Sequence, residues 1–341
     1  MFAPRIYEER RDRLQARLGT GLALFLGGEG AAESPAAFRQ DSTFLYFTGV
    51  DRPGFSLLMD LDEGRTTLYG DEPPLDALIW SGPSPGVGEL AAAAGIAHAA
   101  PGARLADDLQ RAFVLGRTIR FLPPACPENR LKLFLLFGFH PEHQALAASV
   151  DFIRAIAEQR AYKTPEEIAE IERAVDLSVD MHMAAMRMAR PGLTDSEISA
   201  RVTEVALASG SWLARPVVAT THGEIIHNRP RGLALESGRM FVLGAGAETP
   251  RHYVGELTSS FPVNRTFSVR QKEVYQIVLR ALQVAAAMLK PGVWFQDAHL
   301  AASKALVAGL WNLGLMKGDV DEAVSAGALA LFFPHGLGHM L

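Results

Sequence analysis

The chain is short of cysteine, of net charge and of long apolar runs, and each shortage closes off a class of protein. One cysteine, Cys126, stands among 341 residues, so no internal disulfide can form. A reducing compartment is the simplest setting for such a chain, and the expected location is the cytoplasm. The formal net charge is −5. No basic surface follows from that balance, and nucleic acid is not an expected partner. No apolar run approaches the ~20 residues of a membrane helix, so no membrane partner is expected either. The opening stretch Tyr7-Glu8-Glu9-Arg10-Arg11-Asp12-Arg13 is densely charged and carries no apolar signal core.

What remains is ordinary globular material. Hydrophobic residues make up 48% and charged residues 21%, enough for a substantial core, and the length suits two domains. Residues 7–18 read as a charged amphipathic helix, and 21–26, 55–59 and 66–69 as strands. Strands then alternate with Ala/Leu-rich helical pieces to about residue 150, which predicts an α/β domain over 1–155. Pro and Gly crowd residues 73–88, a stretch expected as a surface loop.

A second unit, 156–341, takes over. Thr164 is a predicted N-cap, with Pro165 in the first helical position and Glu167 in the third. The long helix that follows is expected to run to about Arg190, with Met181, Met183, Met186 and Met188 as core filler. Pro191-Gly192 stops it, and Thr194 with Glu197 forms a second capping box. The sequence Met188-Ala189-Arg190-Pro191-Gly192-Leu193 then recurs as Met288-Leu289-Lys290-Pro291-Gly292-Val293. Helix, Pro-Gly, helix and strands in matched order predict a duplicated ααββ unit about a pseudo-twofold axis. The first copy reaches about Asn264. The second meets Leu341 well before the equivalent point, so its last strands are expected to be missing.

Chemistry concentrates in residues 239–264, which read as two strands joined by a turn at Thr249-Pro250-Arg251. Side chains alternate along each strand, so such a hairpin can point residues of both arms into one cavity. Carboxylates at 244 and 256 would form a metal clamp; Gly244 carries none and Glu256 does. A second cluster is His335-Gly336-Leu337-Gly338-His339, where two glycines let the backbone bend closely around a ligand. On the residues alone, the pair is equally a ligand site or a structural one. His222, His252 and His299 are expected as lone histidines without partners. Trp212, Trp294 and Trp311 are expected in the core, and Gly246 in a tight strand contact. Glu248 is expected as a solvated or ion-paired carboxylate, with a substitute-ligand role as the alternative.

Taken together, these motifs resemble the proline-specific pita-bread metallopeptidases, Xaa-Pro aminopeptidase (aminopeptidase P) and prolidase. Phe38-Arg39-Gln40-Asp41-Ser42-Thr43-Phe44-Leu45-Tyr46-Phe47-Thr48-Gly49 resembles the aminopeptidase P N-terminal domain. Lys163-Thr164-Pro165-Glu166-Glu167-Ile168 resembles the opening of the catalytic domain, and 238–262 and 335–339 resemble its centre. The fold implied is a creatinase/prolidase-like N-terminal α/β domain followed by a pita-bread domain. The family binds two divalent cations, often manganese, also cobalt or zinc, through two Asp, one His and two Glu. Paired ions in such centres sit ~3.5–4 Å apart and polarise nucleophile and substrate together.

The carry-over to this chain is incomplete. Gly244-Ala245-Gly246-Ala247-Glu248 stands where the family has Asp-Ala-Gly-Ala-Glu, so the first ligand carboxylate is absent. Glu256 stands where the second ligand Asp is expected, one methylene longer. His339 matches the ligand histidine. His335 and His227 match substrate-side histidines, and Asn228 replaces a tyrosine of the family. The last two ligand glutamates are expected past Leu341. The resemblance therefore implies a degenerate member holding no metal or one weakly bound ion. Its hydrolysis of N-terminal Xaa-Pro bonds is lost or very weak. The alternatives are an active manganese enzyme with replacement ligands, or a non-enzymatic peptide-binding scaffold. Peptides with proline at the second position are the implied partners. A homodimer is expected to cover an exposed edge around 326–341.

Overall fold

The computed structural model describes residues 1–30 and 38–338, apart from the side chain of Ser81. The chain divides into two compact units, Met1–Lys163 and Thr164–Leu341. The first runs α1 (Pro4–Leu18), β1 (Leu22–Leu26), α2 (Ser42–Thr48), β2 (Ser56–Asp60), β3 (Arg65–Tyr69), α3 (Ala77–Ser81) and α4 (Val87–Ala93). It continues with β4 (His98–Ala100), α5 (Arg104–Val114), β5 (Ile119–Phe121), α6 (Pro127–Phe137), α7 (Gln144–Ala147) and α8 (Val150–Ala161). The Pro/Gly-crowded stretch is not one open loop, since it holds α3 and the start of α4. Helix α8 falls wholly inside the first unit, so the division lies at 163 and not at 155.

The described strands of this unit form a sheet ordered β4-β3-β2-β1-β5. The β1–β2 and β2–β3 pairs are antiparallel, and β1–β5 and β3–β4 are parallel. Central strands of such a sheet are apolar on both faces, and alternation divides them between two cores. Ala23, Phe25, Leu57 and Met59 face one core with Phe44, Phe47 and Phe152. Leu22, Leu24 and Leu58 face the other with Leu105, Leu109 and Phe121.

The charged N-terminal helix is less amphipathic than it reads. Arg10 and Arg11 are buried. Arg10 Nη1 donates to the Tyr46 carbonyl at 2.8 Å, and its guanidinium lies 3.9 Å from the Tyr46 ring centre. Arg11 donates to the carbonyls of Phe47, Ala94 and Gly95. These are carbonyls at the C-terminal ends of α2 and α4, which no helical N–H can reach. Burial pulls the Arg11 pKa down to about 10, against the opposing pull of Glu8 and Asp12.

The second unit runs α9 (Pro165–Met188), α10 (Asp195–Ala208), β6 (Trp212–Leu213), β7 (Val218–Thr220), β8 (Met240–Glu248) and β9 (Val254–Pro262). It continues with α11 (Val269–Met288), α12 (Phe295–Asn312) and α13 (Val320–Ser325). Both predicted capping boxes are present, at Thr164/Glu167 and Thr194/Glu197. Helix α9 carries Pro at its first turn and ends at Ala189, two residues before the Pro-Gly pair. The two copies of that pair turn alike: Gly192 has φ 89° and Gly292 φ 86°, in the left-handed region that glycine favours. The helix pairs of the repeat are therefore both present.

Among the described residues, strands follow only the first pair. Among the described residues after α12 there is a short helix and a 3-10 turn, Ala328–Leu331, and no strand. The edge expected around 326–341 is thus no strand edge over 326–338, and residues beyond 338 lie outside the described part. The tryptophans also correct an expectation. Trp212, Trp294 and Trp311 are exposed, because Trp212 sits on a two-residue edge strand and the other two lie on α12 or its cap. Met181 is fully buried and Met186 and Met188 pack on the core, whereas Met183 faces out.

The sheet is ordered β6-β8-β7 along one edge of β8, with β9 on the other edge. Helix α9 lies on the β8–β9 hairpin at very close range. A Cβ at Gly255 would stand 2.3 Å from the Val175 amide nitrogen and 2.4 Å from the Ala174 carbonyl carbon. Only backbone fits there. Replacing Gly255 with Ala must push β9 off α9, an overpacking cost of about 1–3 kcal/mol or more. Gly88, on α4 with open space around its missing Cβ, is the control, and its Ala variant should gain up to about 1 kcal/mol. Urea unfolding of both variants checks this. An unchanged midpoint for Gly255→Ala would contradict the close approach.

Candidate functional site

The β8–β9 hairpin has nine register pairs, from Met240↔Pro262 to Glu248↔Val254. Its two faces have opposite character. Phe241, Leu243, Ala245 and Ala247 enter the core with Phe261 and the apolar side chains of α9 and α10. The other face carries Gly244, Gly246, Glu256, Thr258 and Ser260. Gly244 pairs with Thr258 and Gly246 with Glu256, so positions 244 and 256 do share one face, one rung apart on that face.

A side chain the sequence analysis did not single out dominates that face. Arg215 lies just past β6, where the Ala214 amide donates to the Gly246 carbonyl at 2.9 Å. Arg215 Nε donates to Glu256 Oε1 in an ion pair. Its Nη2 lies 3.3 Å from the place a Cβ at Gly244 would take. The guanidinium therefore stands over Gly244 and holds Glu256. The two side chains are 37% and 32% exposed, and a pair this open contributes about 0–1 kcal/mol to stability. The only sequence signal was an arginine in the segment leading to the hairpin, one among many.

The histidines fall in different settings. His227 is exposed in a turn anchored by its neighbour: Asn228 is buried, and its Nδ2 donates to Thr220 Oγ1 at 2.8 Å. His335 is exposed, with Nδ1 2.8 Å from the Gly336 carbonyl and its ring edge-on to Phe333. Phe333 stacks in turn on His299 at 5.7 Å. His339 lies outside the described residues. Among the described residues, no hydrogen bond or ion pair joins His227, His335 and Glu256 to one another.

Two histidines expected to stand alone do not. His222 Nδ1 lies 2.9 Å from Glu224 Oε1, and His252 Nδ1 lies 2.7 Å from Glu248 Oε1. Glu248 is buried and committed to that pair, so it offers no free carboxylate to the face that holds Glu256. A short turn with His252 at φ 63° brings the two together.

His182 was missed, although its spacing was legible. Ala174, Ser178, His182 and Ala185 mark one stripe of α9 at helical intervals, all buried against the hairpin. His182 Nε2 meets the Ala245 carbonyl at 3.1 Å, and Nδ1 meets Ser259 Oγ at 2.8 Å. A neutral ring satisfies both, donating to the carbonyl and accepting from the hydroxyl. Burial lowers its pKa from the usual 6.5, outweighing the raising effect of the carbonyls of Ala245 and Leu257.

These donors do not fit a dinuclear centre. Hard divalent ions draw on several anionic oxygens held at once. The described face offers one carboxylate, already paired to a cation. Among the described residues, no three His, Cys, Asp or Glu side chains group so as to hold a metal ion.

The model of metallopeptidase family M24 matches residues 169–341, and that of the aminopeptidase P N-terminal domain matches residues 7–118. The chain belongs to metallopeptidase family M24, in its aminopeptidase P branch. It is 28% identical to the Xaa-Pro aminopeptidase of Escherichia coli K12 over 350 residues, covering 98% of this chain and 79% of that one. It is 30% identical to a probable Xaa-Pro aminopeptidase of Chaetomium globosum, covering 89% of this chain and half of that one. Its fold is similar to that of Pseudomonas aeruginosa aminopeptidase PepP, with TM-score 0.87 at 26% identity over 99% of this chain and 79% of that one. Escherichia coli aminopeptidase P with the inhibitor Pro-Leu gives 0.86 at 26%, over 99% and 80%. The two-domain aminopeptidase P fold is thus present, in a family that uses divalent metal. Gly244 and Glu256 both lie within the M24 match. No helix among the described residues is long and apolar enough to cross a membrane.

The burial of His182 has a pH signature. The folded chain holds the ring neutral, while the unfolded chain takes up a proton near pH 6.5. Stability from this group is therefore full above 6.5 and declines as pH falls through the window below it. His182→Gln keeps a donor and an acceptor without titrating. Its Tm should fall less steeply than that of the wild type on acidification below pH 6.5. Parallel curves in differential scanning calorimetry would refute the assignment.

Proposed function

We propose that this chain is an Xaa-Pro aminopeptidase relative whose own hydrolysis of N-terminal Xaa-Pro bonds is lost or very weak. One observation carries the reading: Arg215 pairs Glu256 and covers Gly244, at the two hairpin positions where the family resemblance calls for ligand carboxylates. The named relatives support the substrate class, peptides with proline in the second position. His227 and His335 are the proposed peptide-side groups, since both are exposed and neither is tied to a carboxylate. Glu256 and His339 are the proposed remnant of the metal set; with Glu256 paired to Arg215, they hold no ion, or one only weakly. An active enzyme with Glu248 as substitute ligand is disfavoured, because Glu248 is buried against His252.

The test is turnover of Xaa-Pro tripeptides with added manganese, using the full gene product. The expected rate is far below the ~10 s⁻¹ typical of enzymes. A rate within about tenfold of that value overturns the proposal. Binding of the same peptides without turnover is the expected companion result, measured by calorimetry.

A further inference from the structure

The ion pair between Arg215 and Glu256 has an unusual path. Residue 215 lies in the segment between β6 and β7, both of which pair one edge of β8, whereas Glu256 lies on β9 at the other edge. Neighbouring strands lie about 4.8 Å apart, so the arginine has to cross the full width of β8 to reach its partner. The residues of β8 on that face along the crossing are Gly244 and Gly246. Neither has a side chain to obstruct it. At Gly244 an added Cβ would have Arg215 Nη2 at 3.3 Å, Val218 Cβ at 3.4 Å and Thr258 Oγ1 at 3.6 Å. A longer side chain there would meet the guanidinium, which would have to shift to make room for it. The missing carboxylate at 244, the arginine at 215 and the longer carboxylate at 256 therefore fit one another as a set.

We propose that Arg215 is the resident cation of this site, and that it excludes divalent ions from Glu256. The inference rests on the reading of positions 244 and 256 given under the proposed function. A guanidinium is a fixed, planar, weakly hydrated cation whose donors match a carboxylate. Placed on Glu256, it takes up an oxygen a metal would need and repels a second cation at short range. It also leaves the face electrically balanced without a bound ion. Chelators should therefore leave the thermal stability of this chain unchanged.

Metal affinity in four versions of the whole chain tests this: wild type, Arg215→Gln, Gly244→Asp and the two changes together. Calorimetric titration with Mn²⁺, supported by its electron paramagnetic resonance signal, reads binding without reference to activity. The double variant should bind Mn²⁺ about tenfold or more tightly than wild type. Gly244→Asp alone should show no such gain, because its new carboxylate pairs with Arg215, and its Tm should rise for the same reason. Two results overturn the proposal: Gly244→Asp alone binding as tightly as the double variant, or a folded double variant with no gain over wild type. If the aspartate variants fail to fold, Arg215→Gln carries the test, and unchanged Mn²⁺ affinity relative to wild type overturns the idea. The functional reading fails separately. An active wild type whose Mn²⁺ affinity still rises in the double variant retires the loss of hydrolysis and keeps the resident cation.

Discussion

The second unit depends on one backbone-to-backbone contact, where β9 meets α9 at Gly255 with no room for a single carbon between them. Two polar side chains of α9 thread that apolar interface one turn apart. Ser178 hydrogen-bonds the Gly255 carbonyl and accepts from the Ala247 amide, so one hydroxyl ties both strands of the hairpin to the helix. His182 repeats the arrangement between Ala245 and Ser259. Each group is satisfied on both sides, which is what makes polar atoms tolerable there. The contact also fixes the register. A slip of one residue would turn Glu256 toward the helix and Leu257 away from it. The open face of the hairpin, with Gly244, Glu256 and the reach of Arg215, is thus set by packing on the opposite side.

The first unit solves a related problem with cations. Short helices such as α2 and α4 end in carbonyls that need donors, and the ends here are buried. Arg10 and Arg11, adjacent on α1, supply them from one helix face. Burying a guanidinium is costly, and the same desolvation pulls the Arg11 pKa down to about 10. The return is a dense set of carbonyl hydrogen bonds, with the Tyr46 ring under Arg10.

Local signals were legible in the sequence where a few adjacent residues decide the outcome. The capping boxes at Thr164 and Thr194, the turn at Gly192 and its copy at Gly292, and the two strands of the β8–β9 hairpin are of that kind. The shared face of positions 244 and 256 needs the register of the hairpin as well as the strand period, and packing on α9 supplies that register. What stayed hidden depends on contacts between distant segments. A run of charges at residues 7–13 reads as solvated, and only the fold shows that two arginines end on carbonyls of other helices. Arg215 and Glu256 are 41 residues apart, and nothing in their spacing announces a pair. His222 and His252 read as isolated because short turns, not helical or strand periods, bring Glu224 and Glu248 to them. The exposed tryptophans misled for the converse reason: residue type speaks for burial on average, while position on an edge strand or outer helix decides it.

The two glycines beneath Arg215 are not equivalent, and the difference bears on how the site came to be as it is. At Gly246 an added Cβ would stand 2.5 Å from the Gly255 carbonyl oxygen and 2.7 Å from the Glu256 Cα. Those are backbone atoms of the paired strand, so the sheet itself requires glycine there. At Gly244 the nearest atoms are all side-chain atoms, the closest being the end of a flexible arginine. Its φ is not in the left-handed region, so the backbone admits any L-residue. The fold therefore does not demand glycine at 244. The exposed ion pair beside it adds little stability, so stability does not demand it either. What glycine at 244 does provide is the space in which Arg215 reaches Glu256. The absent carboxylate is accordingly a property of the site's electrostatics, local to three side-chain positions, in a hairpin whose packing leaves that position free to carry one.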